Sequence, residues 1–110
     1  YITAMTMDSG SRLLDHTNNI ERGKIIRCHP SNEDRLDLMV IELHHKDELR
    51  YALLNVTGYK AGLIYVILPK DFQPSNEEGY AIDKDWLISN WSKWGYFDCP
   101  IEKVQIIENL

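Results

Sequence analysis

Four histidines and two cysteines are the residues of this 110-residue chain best suited to nucleophilic or acid–base chemistry. Cys28 directly precedes His29, and a cysteine close to a histidine is the arrangement of a nucleophile with its general base. Adjacent strand residues point to opposite faces, which argues against this pair and also against joint metal binding by His44 and His45. Acid–base cleavage of RNA by two histidines, with His29 and His16 as the residues to test, stays open as an alternative, although no spacing supports it.

Acidic side chains form two short clusters that resemble cation sites. One cluster comprises Glu33, Asp34 and Asp37, and the other comprises Glu77 and Glu78. Metal-binding loops need ligands at fixed alternating offsets with a glycine at the bend, and neither cluster has that arrangement. The sequence therefore predicts no metal site and no cofactor.

All three tryptophans fall in one acidic segment, residues 83–98, which reads DKDWLISNWSKWGYFD. A stripe at helical spacing predicts packing against the core, and its members here are Leu87, Trp91 and Trp94. Trp86 and Tyr96 fall off that stripe. Because Trp and Tyr dominate binding hot spots, we predict that these two belong to the exposed half of the segment and contact a partner.

The net charge of −5 lies wholly in the part of the chain after Lys70. Acidic and basic residues cancel up to that point, whereas beyond it eight acidic residues accompany three lysines. Such a field repels nucleic acid and attracts basic surfaces. Simple solubility is an equally weighted explanation. The predicted partner-binding residues are Glu77, Glu78, Asp83, Asp85, Trp86, Tyr96 and Asp98.

A nucleic-acid-binding or regulatory module of barrel type is a further alternative, because aromatic residues suited to base stacking are present. It requires a basic face, for which Lys24, Arg27 and Arg50 are candidates if they line one side of a sheet. The acidic balance of the chain disfavours this alternative.

Apolar runs predict the strands that position these residues. The predicted strands cover residues 23–28, 36–44, 50–56, 63–68 and 104–107. The connection from His45 to Leu49 is short enough for a hairpin, which makes the second and third strands antiparallel neighbours. Residues 36–44 are apolar on both faces, which predicts a central strand. Tyr1–Met7 is expected to form an edge strand, and Ser11 to cap a short helix that carries Leu13 and Leu14.

One main helix is predicted in the tryptophan segment. Asp83 is its expected N-cap, Ile82 and Leu87 form a hydrophobic staple across that cap, and Gly95 marks its end. Together the elements predict an α+β fold, with a twisted antiparallel sheet of about five strands and one main C-terminal helix packed on it. A single domain spanning residues 1–110 is expected.

Cysteine content and hydropathy predict a cellular location. Two cysteines and the absence of any apolar run near 18 residues favour a cytoplasmic protein with free thiols that does not span a membrane.

Three segments carry a resemblance to a known class of proteins: GKIIRCHPSNEDRLDLMVIE, NVTGYKAGLIYVILPK and WLISNWSKWGY. Across residues 23–107 the chain resembles the small immunity proteins of bacterial polymorphic-toxin and contact-dependent growth inhibition systems. The resemblance implies a cytoplasmic, non-catalytic protein that binds and blocks the C-terminal domain of one cognate toxin, often a nuclease. It assigns no individual site residues.

Overall fold

The computed structural model describes residues 11–16, 18–31, 34–45, 48–69, 81–96 and 98–107, which form eight β-strands and one α-helix. The strands are β1 Ser11–Arg12, β2 Ile20–Glu21, β3 Ile25–Cys28, β4 Leu36–His45, β5 Glu48–Asn55, β6 Ile64–Ile67, β7 Ala81–Ile82 and β8 Gln105–Ile107. The helix, α1, is Lys84–Trp94, and 3-10 helices cover Leu13–Asp15, Gly58–Lys60 and Ile101–Lys103.

Six strands form one antiparallel sheet in the order β1-β8-β3-β4-β5-β6, and β2 pairs with β7 in a separate two-stranded sheet. The fold is thus α+β, as predicted, and all five predicted strands are present. The predicted count of about five is too low. The additional strands β1, β2 and β7 have two residues each, which is too short to produce a periodic signal in the sequence.

The predicted hairpin is confirmed. Strands β4 and β5 pair without interruption from His45 opposite Glu48 to Leu38 opposite Asn55. Strand β4 lies between β3 and β5, so its predicted central position is confirmed as well. Its alternate residues Leu36, Leu38 and Val40 face the main core.

Helix α1 begins and ends where the sequence indicates. The Asp83 carboxylate accepts a hydrogen bond from the Asp85 backbone N–H at 3.0 Å, and Gly95 follows the last helical residue. Leu87 is fully buried and Trp91 is 4% exposed, so these two members of the predicted stripe fix the helix to the core. The third member of the stripe, Trp94, is half-buried at the margin of the core. Ile82, which precedes the cap, is fully buried as well. The fully buried side chains of the main core include Leu13, Ile20, Ile26, Leu38, Tyr51, Leu53, Leu68 and Ile106.

The N-terminal predictions are partly wrong. Ser11 lies in β1 and does not cap a helix, while the short helix that follows is a 3-10 turn with Arg12 before it and no side-chain cap bond. Leu13 is buried and Leu14 is exposed. The predicted edge strand at Tyr1–Met7 lies outside the described residues. Among the described helices, none has the length and apolarity needed to cross a bilayer.

Candidate functional site

The start of α1 is held rigidly to the N-terminal part of the chain. Pairing of β2 with β7 places Ile20 opposite Ile82 immediately before the helix. The Lys84 backbone N–H then donates to the Asn19 side-chain oxygen at 3.0 Å, which satisfies a second donor at the helix N-terminus. Any side chain on this first turn is therefore presented from a fixed backbone.

Three of the predicted partner-binding residues lie on this first turn. Asp83 is half-buried through its capping role, whereas the Asp85 side chain is 84% exposed. The Lys84 ammonium lies 3.3 Å from the Asp85 carboxylate and partly neutralises it. Trp86 is half-buried and packs against the core, so part of its ring faces solvent.

Tyr96 is part of the core and not of an exposed surface. It is 6% exposed, and its ring centroid lies 5.4 Å from that of Tyr65. The Tyr65 hydroxyl donates to the Gly95 carbonyl at 2.9 Å, which holds the chain against β6 as it leaves the helix. The prediction that Tyr96 lies in the exposed half of the segment is therefore wrong, because the chain turns inward directly after α1.

Asp98 lines a cleft that runs along the middle and C-terminal part of the helix, from Ile88 to Ser92. The cleft has a volume of about 510 Å³ and runs between α1 and residues 96–101. Trp91 forms part of its wall and is fixed there by a hydrogen bond from its indole N–H to the Cys99 carbonyl at 2.8 Å. The predicted residues thus fall into two groups. Asp83, Asp85 and Trp86 lie on the first turn of the helix, whereas Asp98 lies across the cleft on the segment that follows it.

The acidic surplus is only partly represented in the described residues. After Lys70, the described acidic residues Asp83, Asp85, Asp98 and Glu102 accompany Lys84, Lys93 and Lys103. The remaining acidic residues of that part are Asp71, Glu77, Glu78 and Glu108, which all lie outside the described residues. The predicted contacts Glu77 and Glu78 therefore have no structural description.

The two cysteines meet in the core, a proximity that their separation in the sequence did not indicate. Both are buried free thiols, and Cys99 also borders the cleft. A hydrogen bond from the Cys28 thiol stabilises the Cys99 thiolate and lowers the pKa of Cys99. The same contact and burial raise the pKa of Cys28. Of the two thiols, Cys99 is therefore the more readily ionised.

A further group of ionisable residues surrounds Glu42 on β4. Its carboxylate accepts from the Arg22 guanidinium at 3.0 Å and the Tyr51 hydroxyl at 3.0 Å, and lies 3.2 Å from His44 Nε2. Burial alone raises the pKa of Glu42, but the hydrogen bonds from His44 and Tyr51 and the charge of Arg22 outweigh it and leave the pKa lowered. Because three donors already occupy this carboxylate, the group stabilises the hairpin and is a poor general base.

The structure does not assemble the basic face required by the nucleic-acid alternative. Arg27 lies opposite Asp37 and Arg50 opposite Leu43, so both arginines occupy the face away from the main core. Lys24 lies opposite Val40 and therefore on the other face. The Arg27 guanidinium binds Asp37 through two bonds of 2.9 and 3.1 Å, which neutralises much of its charge.

The histidines occupy separate places in the structure. His29 Nε2 lies 2.8 Å from the Gln105 side-chain oxygen, and His16 Nδ1 lies 3.3 Å from Ser11 Oγ. Within the ranges that the structure describes, no three His, Cys, Asp or Glu side chains are grouped so that they could hold a metal ion. No described feature favours histidine-dependent catalysis.

Comparison with known proteins gives one match. A family model described as "Immunity protein 45" matches residues 15–106. Neither a curated protein nor a solved structure matches the chain.

Proposed function

The chain belongs to the immunity protein 45 family, and on this premise we propose that it binds the toxic domain of a cognate toxin and neutralises it by occlusion. The match over residues 15–106 is the observation that carries the proposal, because it covers α1 and most of the large sheet. It also confirms the resemblance to immunity proteins of toxin systems that the sequence suggested. Immunity of this kind is stoichiometric and needs no catalytic residues.

The proposed target is a basic C-terminal toxin domain with nuclease activity, encountered in the cytoplasm. The net charge of −5 and its concentration after Lys70 support a basic target. A nuclease needs a positively charged surface for its substrate, and an acidic inhibitor competes for that surface. Long-range attraction between the two surfaces also accelerates their association.

The proposed contact surface is centred on the first turn of α1. Asp85 supplies an exposed charge there, and Trp86 supplies an aromatic contact whose ring is already held by the core. A side chain that is ordered before binding loses little conformational entropy on binding. Asp83 extends the acidic surface. Glu77 and Glu78 are proposed as further acidic contacts on the strength of the sequence alone. Asp98 supplies a second acidic contact at the cleft.

The test is to mix the protein with its cognate toxin domain, to be sought first in the neighbouring gene. We expect a stoichiometric complex in size-exclusion chromatography and loss of toxin activity at equimolar ratio. Stopped-flow association should slow as the salt concentration rises, because ions screen the attraction between exposed charges. Absence of a complex at any ratio refutes the function, whereas a salt-independent association rate refutes the electrostatic part.

Two substitutions separate the contact surface from the rest of the molecule. Asp85→Asn removes an exposed charge and should reduce the association rate, while Trp86→Ala should mainly increase the dissociation rate. Asp34→Asn is the matched control, because it removes an exposed carboxylate just before β4, which borders a pocket with Tyr96 beyond the last residue of α1 and not the first turn of the helix. If the control weakens binding as much as Asp85→Asn does, the contact surface lies elsewhere.

A further inference from the structure

Exposed apolar side chains concentrate at one edge of the large sheet. Leu63 is 60% exposed, and Ile64 and Ile67 are each 45% exposed, with the fully open Tyr59 on the turn before them. Among the described residues, Leu14 is the other large apolar side chain that is exposed, and it lies on the 3-10 helix at residues 13–15. Clustered exposed apolar residues mark an interaction surface, whereas scattered ones need no explanation.

Strand β6 is the last strand of the large sheet in the described structure, so one side of its backbone faces outward. A bulge shifts its pairing so that Ile67 lies opposite Ala52 and Ile64 opposite Leu54. Ala52 and Leu54 are two residues apart on β5 and point to the same face. The bulge therefore places both exposed isoleucines on one face of the sheet, where an ordinary strand would place them on opposite faces.

Charge indicates what kind of partner fits this edge. No charged residue occurs from Leu63 to Leu68. The nearest described charges are Arg50, whose guanidinium donates to the Leu68 carbonyl at 3.3 Å and lies 3.9 Å from the Glu48 carboxylate, and Lys60 on the turn before Leu63. A basic toxin surface gains nothing from an uncharged strand that is flanked by an arginine and a lysine. A second copy of the same strand fits, because identical surfaces can meet only where they bring few like charges together.

We propose that β6 is a self-association edge, at which two copies of the chain pair their β6 strands antiparallel around a two-fold axis between Tyr65 and Val66. In this register Ile64 of each copy lies opposite Ile67 of the other, so all four exposed isoleucine side chains come into contact on one face and shield one another in part from water. Leu63 and Tyr59 flank the pair. The large sheets of the two copies join into one continuous sheet.

The dimer is expected to be in equilibrium with the monomer and not obligate. Strand β6 has only four residues, and its bulge limits the length of the ladder, so the buried area is smaller than that of a standard stable interface. Sedimentation velocity over a wide concentration range should show the sedimentation coefficient rising from the monomer value towards the dimer value. A single monomer species at every concentration overturns the proposal.

Substitution of the isoleucines tests the register. Ile67→Lys should raise the dimer dissociation constant by about tenfold or more, because it places a charge against an apolar side chain at two symmetric positions. Leu14→Lys is the matched control, since it makes the same change at an exposed site away from β6, and it should leave the equilibrium unchanged. Thermal unfolding of each variant verifies that the fold is retained.

A pair of opposite charges introduced at positions 64 and 67 tests the proposed register directly. In the proposed register the double variant Ile64→Glu with Ile67→Lys places each glutamate opposite a lysine of the other copy, and dimerisation should return to near its original strength. Failure of the double variant to recover refutes the register. Loss of toxin binding by Ile67→Lys, with oligomeric state unchanged, would assign β6 to the toxin and overturn the second copy as its partner.

Discussion

Replacement of Gly95 by alanine should destabilise the protein, although its backbone geometry alone suggests the reverse. Gly95 has φ −87° and ψ −169°, an extended conformation that alanine adopts without strain. In such a position a glycine-to-alanine change usually stabilises a protein by about 0.4–1 kcal/mol, because alanine restricts the unfolded chain. Here a Cβ would overlap the Cδ2, Cε2 and Cε3 atoms of the Trp91 ring.

The magnitude follows from how firmly Trp91 is held. The ring is 4% exposed and its N–H is bonded to the Cys99 carbonyl, so it cannot move aside without losing packing and a buried hydrogen bond. Overpacking of a core costs about 1–3 kcal/mol, which exceeds the usual gain from alanine. We expect the free energy of unfolding of Gly95→Ala to fall by about 1–2 kcal/mol and its Tm to fall by roughly 4 °C or more. Urea unfolding followed by circular dichroism measures this difference.

A double-mutant cycle identifies the cause. In a Trp91→Leu background the overlapping ring atoms are absent, so Gly95→Ala should be nearly neutral and the two changes should be strongly coupled. Gly62→Ala is the control, because Gly62 has φ +96° and open space around its Cβ position. Its cost comes from backbone strain alone and should be the same with either residue at position 91. A neutral or stabilising Gly95→Ala in the wild-type background would refute the steric argument.

Two further predictions concern stability. Trp91→Ala should lower the free energy of unfolding by about 3–5 kcal/mol. Trp86→Ala should lower it by less, about 1–2 kcal/mol, because Trp86 is only half-buried. Equal losses of the two variants in urea titrations would contradict the packing described for α1. The pKa of Glu42 is lowered by folding, so its stabilising effect is present above the pKa of the unfolded chain and is lost as the pH falls through the lower folded value. The difference in unfolding free energy between wild type and Glu42→Gln should therefore shrink below about pH 4, and a constant difference from pH 7 to pH 3 would exclude this role.

Local signals in the sequence predicted the elements well where an apolar pattern was long or where turn and capping residues marked its ends. Residues 36–44 and 50–56 were recognised as a hairpin because a short polar connection joined two apolar runs. Asp83 caps α1 as expected. Gly95 follows the last helical residue, but in an extended conformation and not in the left-handed one that favours glycine at a helix end, and the close approach to Trp91 that requires glycine there was not visible in the sequence. The position of β6 at the sheet edge was not predicted either, since an apolar run of this length is equally typical of a buried strand.

The candidate site was harder to predict because it depends on where the chain turns after each element. Asp85 and Trp86 lie on the first turn of α1 because the helix begins directly after Asp83, which the sequence indicated as the N-cap. Tyr96 lies beyond the helix, where periodicity gives no information, and the chain direction buries it. The Glu42 group and the contact between Cys28 and Cys99 join residues distant in sequence, so only the folded sheet reveals them.

The position of β8 determines when the protein can finish folding as it is synthesised. Strands β3 to β6 form a run of successive neighbours and can assemble as soon as they leave the ribosome. Strand β1, made first, has no neighbour in the sheet until β8 emerges and is inserted between it and β3. The nascent chain must therefore keep β1 and the exposed side of β3 unpaired until β8 has left the ribosome. The large sheet is therefore complete only once β8 is available, and until then a chaperone that binds unpaired strands has access to β1 and to the exposed side of β3.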